Sequence, residues 1–142
     1  DGPDRDTLVQ LIAELGLSER VKFTGALSSN DVRSLLSKAD IFILPSTGTG
    51  EAWPVSVMEA MAAGLPVIAT EIGATREMIS AGFDGFLVPQ ADPAAIFEKL
   101  QLLAHNLDLR RAVGAAANAT ASRRFDVKIS AGVLQHAIRG GL

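Results

Sequence analysis

The sequence contains no cysteine, which excludes a disulfide scaffold, a Cys-ligated zinc site and a thiol nucleophile. It fits a reducing compartment. It also has no Lys/Arg cluster of the size a nucleic-acid face needs: 13 basic and 16 acidic residues leave a formal charge of −3. That mild acidity argues against nucleic acid or an anionic membrane as the main partner. A membrane-spanning run is missing too. The most apolar stretch, Ala52 to Thr70, carries Glu59 and is broken by Pro54, Gly64 and Pro66, whereas a spanning helix needs roughly 20 apolar residues with intact backbone bonding. There is no internal repeat, low-complexity linker or signal-peptide pattern, and Asp1-Gly2-Pro3-Asp4 opens in mid-phrase, as an excised piece of a longer chain would.

What is present is enough for one domain. The chain has 142 residues, of which 48% are hydrophobic and 20% charged, so it can bury a core. Leu8, Leu11, Ile12 and Leu15 share one helical face, with Gly16 at the C-terminal cap position. Val21-Lys22-Phe23-Thr24 reads as a short strand closed by Gly25. Ser28 and Asp31 have capping-box spacing ahead of a helix that places Val32, Leu35, Leu36 and Ala39 together. Ile41-Phe42-Ile43-Leu44 is a continuous apolar run, suited to a parallel strand covered on both faces.

The loop Pro45 to Gly50 leads into a helix predicted over about Pro54 to Ala63, ended by Gly64-Leu65-Pro66. Pro66 to Thr70 is a second buried strand, Thr75 to Ser80 a short helix, and Gly85 to Val88 a last strand. Asp92-Pro93 starts a helix carrying Ile96, Phe97, Leu100 and Leu103 on one side. An alanine-rich helix with a small-residue face follows over Ala112 to Ala121, and another over about Val127 to Ile138. Alternating strands and helices predict an α/β class: a Rossmann-like open parallel sheet with helices on both faces. The terminal helices, with no strand after them, should cross the sheet or reach toward a partner.

In such a sheet ligands sit at the carboxyl ends of the strands. The passage from Leu44 through Gly48 and Gly50 into Pro54 can approach a ligand closely, and the following helix start would aim free N–H groups at an anion. Ordinary strand–helix connections use the same residue types, so both readings stand on this feature alone. Glu51 and Glu59 bracket the helix start with seven residues between them. Glu59 lies amid Val57, Met58, Ala60, Met61 and Ala62, where an unpaired buried carboxylate would be costly. It should therefore face a cleft or a specific partner, and a cleft carboxylate can accept hydrogen bonds from the vicinal hydroxyls of a sugar.

The block Glu51-Ala52-Trp53-Pro54-Val55-Ser56-Val57-Met58-Glu59, running on through Ala63-Gly64-Leu65-Pro66-Val67-Ile68-Ala69-Thr70, resembles the signature of the retaining GT-B glycosyltransferases of family four, also called group one. Asp1-Gly2-Pro3, Val21 to Gly25, Ala39-Asp40, Pro45-Ser46, Gly73 to Glu77 and Gly85 to Pro89 fit the same family in the same order. The resemblance implies that residues 1–142 are a single nucleotide-sugar-binding domain, truncated at its N-terminus, from an enzyme whose N-terminal acceptor domain is absent here. It implies that Glu51 contacts the transferred sugar, that Glu59 holds the ribose hydroxyls, and that backbone around Trp53, Pro54 and Val55 faces the sugar and distal phosphate. Gly25, Ala26 and Leu27 would lie against the base. Pro54 has no N–H, so any contact there shifts to Trp53 or Val55. The loop before Glu51 is one residue longer than the commonest form. The family's basic R-x4-K pair, which neutralises the diphosphate, belongs upstream of Asp1.

The implied partner is a nucleotide diphosphate sugar, with no resident cofactor and no metal. The implied parent is cytoplasmic, at most peripheral to the inner membrane face. Trp53 suits either stacking on a sugar or anchoring a core. His105 and His136 read as surface or packing residues, and Glu77 suits a structural role as well as a functional one. Arg123-Arg124, with Lys128, reads as a solvated stretch after a helix. Competing classes are a non-catalytic nucleotide-sugar module, a receiver-like domain (disfavoured by the lack of an acidic cluster after a first strand), and a GT-B phosphorylase or epimerase, of which the two-glutamate block favours the phosphorylase.

Overall fold

The computed structural model describes residues 2–48 and 52–138. The chain divides into two compact units, Asp1–Ser34 and Leu35–Leu142.

In the first unit, α1 spans Arg5–Glu14. Its end is a Schellman motif: Gly16, at φ +66°, donates to Ala13 O at 3.0 Å, and Leu17 donates to Ile12 O at 2.9 Å. The expected glycine cap is therefore present. The apolar stripe has the expected period, yet no residue of α1 is buried, and Leu8, Leu11 and Leu15 are all exposed. Val21 to Thr24, expected as a strand, belongs to no strand. A strand is defined by the neighbour it bonds, and this segment has no ladder partner among the described residues. Phe23 instead lies under the Arg5 guanidinium, 5.4 Å from its ring centroid. Ser28 opens α2 (Ser29–Leu36): its hydroxyl accepts from Asp31 N at 3.3 Å and donates to the Asp31 carboxylate at 2.6 Å. This is a variant of the expected capping box.

The second unit is built on a three-stranded parallel sheet in the order β1 (Phe42–Leu44), β2 (Val67–Thr70), β3 (Phe86–Val88). Phe42 pairs with Val67, and Ile68 with Phe86. Central β2 is buried at every position, while β1 is only half-buried. The crossovers carry α3 (Val55–Ala62) and α4 (Thr75–Met78). After β3 come α5 (Pro93–His105), α6 (Leu107–Arg124) and α7 (Val127–Ile138). Asp92 caps α5 as expected, its carboxylate accepting from Ala95 N at 2.9 Å with Pro93 in the first turn.

One face of the sheet packs against α5: Ile68, Val88 and Leu103 form a cluster flanked by Ile43, Phe86, Ile96 and Leu100. On α3, Val57, Ala60 and Met61 are fully buried. The small-residue face predicted for the alanine-rich helix lies along α6, where Gly114, Ala117 and Ala121 are buried and α6 packs on α3. The approach is very close. A Cβ placed on Gly114 would lie 2.3 Å from the Gly64 carbonyl oxygen. Asn118 Nδ2 donates to the Ala62 carbonyl at 2.6 Å, satisfying a helix-end acceptor of α3. Arg123 and Arg124, expected after the helix, form its last turn, where cations complement the helix dipole. No helix among the described residues is long and apolar enough to cross a membrane.

Candidate functional site

The parallel strands run the same way, so their carboxyl ends share one edge, and three loops gather there. The loop after β1 is anchored twice. The Thr70 hydroxyl, at the end of β2, donates to Ser46 O at 2.6 Å and lies 3.3 Å from Leu44 O. Gly48 N donates to Gln90 Oε1 at 2.7 Å. Ahead of α3, Ala52 O accepts from Ala74 N at 2.9 Å, which joins the start of α3 to the loop after β2. Arg76 pairs with Glu71 in that second loop.

Pro54 is the N-cap of α3 and is buried. It has no side chain able to cap, and none does so. The first two N–H groups of the helix, on Val55 and Ser56, have no intrahelical acceptor, because a helix bonds i to i−4. The start of α3 therefore meets the ligand edge with uncapped donors and the positive end of its dipole. Val55 is exposed at 60% and Trp53 at 44%, whereas Val57, Ala60 and Met61 of the same helix are fully buried. The local sequence explains this: Val57, Ala60 and Met61 hold the helix in the core and leave Val55 and Glu59 on the opposite side.

Glu59 is exposed and lines a groove of about 300 Å³ with Met58, Ala62, Ala121, Ser122, Phe125 and Asp126. Among the described residues its carboxylate has no hydrogen-bonded partner, so of the two options set by its apolar context, it takes the cleft. Trp53 meets Phe125 edge-on, with ring centroids 6.0 Å apart and planes at 76°. It is thus half of an aromatic pair and still presents surface to solvent. The Arg124 guanidinium covers the Phe125 ring at 5.5 Å. Glu51, expected to contact the transferred sugar, lies outside the described residues. Gly25, at φ +63°, with Ala26 and Leu27, belongs to the first unit, where all three are exposed. His105 Nδ1 donates to Gln101 O of its own helix at 2.9 Å and is not at this edge. Among the described residues no cluster of His, Asp and Glu could hold a metal ion.

Sequence reading missed Thr70, Gln90 and Phe125. Thr70 and Gln90 act through bonds to backbone 24 and 42 residues away in sequence, which no local pattern reports. Phe125 follows a basic pair at a helix end and carries no motif of its own.

Fold and site together define a Rossmann-like α/β domain with a ligand edge at its strand ends, the architecture of the C-terminal half of a GT-B glycosyltransferase. The chain belongs to the glycosyl transferases group 1 family, whose model matches residues 1–120. A phosphatidyl-myo-inositol mannosyltransferase of Mycobacterium leprae is 37% identical over 116 residues, covering 82% of this chain and 30% of that protein. The Anabaena protein HepE, solved in complex with UDP and glucose, superposes with a TM-score of 0.87 at 28% identity, over 94% of this chain and 36% of that one. The C-terminal domain of the Francisella tularensis group 1 protein LpcC gives a TM-score of 0.80 at 28% identity, over 89% and 66%. The chain spans 25% to 32% of the length of such curated relatives.

Proposed function

We propose that this chain is the donor-binding domain of a retaining glycosyltransferase, which moves a sugar from a nucleotide diphosphate sugar to an acceptor hydroxyl. The observation that carries this reading is the start of α3. Pro54 leaves the helix end uncapped at the ligand edge, and Glu59 stands one turn further on beside an open groove. Uncapped N–H groups suit a diphosphate, and a solvent-facing carboxylate suits the two hydroxyls of a ribose. The likeness to HepE, whose crystals hold UDP and glucose, supports the same donor class.

In this reading the N–H groups near Trp53 and Val55 face the sugar and distal phosphate, and Glu59 holds the ribose. Glu51 contacts the transferred sugar, and Gly25, Ala26 and Leu27 lie against the base. Departure of the nucleotide diphosphate places negative charge on the phosphate next to α3. The helix end stabilises that charge as it develops, with basic residues from elsewhere in the longer enzyme completing the compensation. No cofactor takes part. The acceptor enters from a separate N-terminal domain, so the 142-residue chain alone binds donor weakly and turns over negligibly.

A panel of uridine, guanosine and adenosine diphosphate sugars, offered to the longer protein with nucleotide release followed, tests the proposal. Release with at least one donor that depends on an acceptor hydroxyl is the expected result. Robust turnover by the 142-residue chain on its own would overturn the division of labour.

A further inference from the structure

The loop after β2 is folded around one buried hydroxyl. Thr75, the first residue of α4, is fully buried. Its Oγ1 accepts from Ile72 N at 3.0 Å and lies within donating distance of two carbonyls, Ile72 O at 2.7 Å and Thr70 O at 3.0 Å. Thr75 N donates to the same Ile72 O at 2.9 Å. A hydroxyl both donates and accepts, so one side chain closes the turn from the end of β2 into α4. That turn places the Ala74 N–H, which donates to Ala52 O at 2.9 Å. Ala52 stands two residues before Pro54, the N-cap of α3. Its carbonyl and the Trp53 N–H belong to one peptide unit, and no peptide bond among the described residues is cis. In a planar trans unit the C=O and N–H point in opposite directions. Tying the carbonyl to Ala74 therefore turns the Trp53 N–H away from the loop after β2. That N–H has no acceptor among the described residues.

We infer that Thr75 is a positioning residue: through Ala74 it sets the plane of the Ala52–Trp53 peptide, and so the aim of the Trp53 N–H at the start of α3. The consequence for a ligand rests on the transferase reading, in which that N–H faces the distal phosphate of the donor. The tether itself rests on the hydrogen bonds alone. Glu59 is held separately, by the burial of Val57, Ala60 and Met61 on its own helix. Loss of the Thr75 hydroxyl should therefore weaken the grip on the distal phosphate and leave the grip on the ribose.

The test has two arms. In the 142-residue chain, Thr75→Val keeps the side-chain shape without its hydroxyl and should speed hydrogen exchange of the Ala74 amide by about tenfold or more. Thr75→Ser keeps the hydroxyl and should stay within about threefold of wild type. Unchanged Ala74 exchange in Thr75→Val would overturn the tether. In the longer protein, titrations with UDP and UMP, GDP and GMP, and ADP and AMP separate the distal phosphate from the rest of the nucleotide. For the pair the protein binds, Thr75→Val should weaken the diphosphate by about tenfold, the scale of one hydrogen bond to a charged group, and the monophosphate by less than about twofold. Thr75→Ser should restore most of the loss. Should Thr75→Val fail to fold, Ala74→Pro removes the donor itself, at a φ of −88° that a proline ring approaches, and should give the same selective loss. Diphosphate affinity equal to wild type, or diphosphate and monophosphate weakened together, would overturn the positioning role. A wild type that binds no diphosphate would instead count against the transferase reading, and Ala74 exchange would still decide the tether.

Discussion

The first unit and the second use the same kind of sequence signal and put it to different ends. The apolar stripe Leu8, Leu11, Leu15 on α1 is as regular as Val57, Ala60, Met61 on α3, yet the first is exposed and the second fully buried. The difference is in what lies above the stripe. On α3 the stripe has a sheet beneath it and α6 alongside, with Gly114 against Gly64. On α1 the corresponding side chains stay exposed. Periodicity reports the conformation of a segment and which side is apolar. Burial is a property of the layers around it, and only tertiary structure supplies those.

This contrast can be broken experimentally, and the largest effect should come from the buried stripe. Met61→Ala should destabilise the chain by about 3 kcal/mol, from lost apolar burial plus an unfilled cavity; urea denaturation would read it, and a loss below about 1 kcal/mol would mean α3 is loosely packed. Gly114→Ala should cost about 2 kcal/mol, because the added methyl must push the Gly64 carbonyl away. The sign matters more than the size, since alanine normally stabilises a helix interior by about 1 kcal/mol. A rise in Tm for Gly114→Ala would show that the α3–α6 approach is not close. In the first unit, Gly16→Ala should cost about 1 kcal/mol: the site has open space around it but demands a left-handed backbone. Leu11→Ala should be the mildest, within about 0.5 kcal/mol, as expected for a side chain 46% exposed. A Leu11→Ala cost near that of Met61→Ala would erase the comparison.

Much of the second unit was legible beforehand. The apolar runs at 41–44 and 66–70 became β1 and β2 because a covered parallel strand tolerates no alternation. Asp92-Pro93 became the start of α5 because a cap and a first-turn proline act within one turn. Val21 to Thr24 was misread for the opposite reason: strand propensity is local, but a ladder is not. The site divides the same way. Glu59 and the α3 start could be placed from the apolar residues between them. In the core, Asp84 was not legible either: it is buried, accepting from Ser80 N at 2.7 Å and from the Thr120 hydroxyl at 2.8 Å, 36 residues on. Gln90 and Thr70 were hidden likewise, since their partners are backbone atoms of distant loops.

The central claim is that the two glutamates flanking the start of α3 do separate work on one nucleotide-sugar donor. Steady-state kinetics of Glu51→Ala and Glu59→Ala in the longer protein measure it directly. Glu51→Ala should mainly lower kcat, and Glu59→Ala should mainly raise the donor KM. Kinetics unchanged in both variants would contradict it.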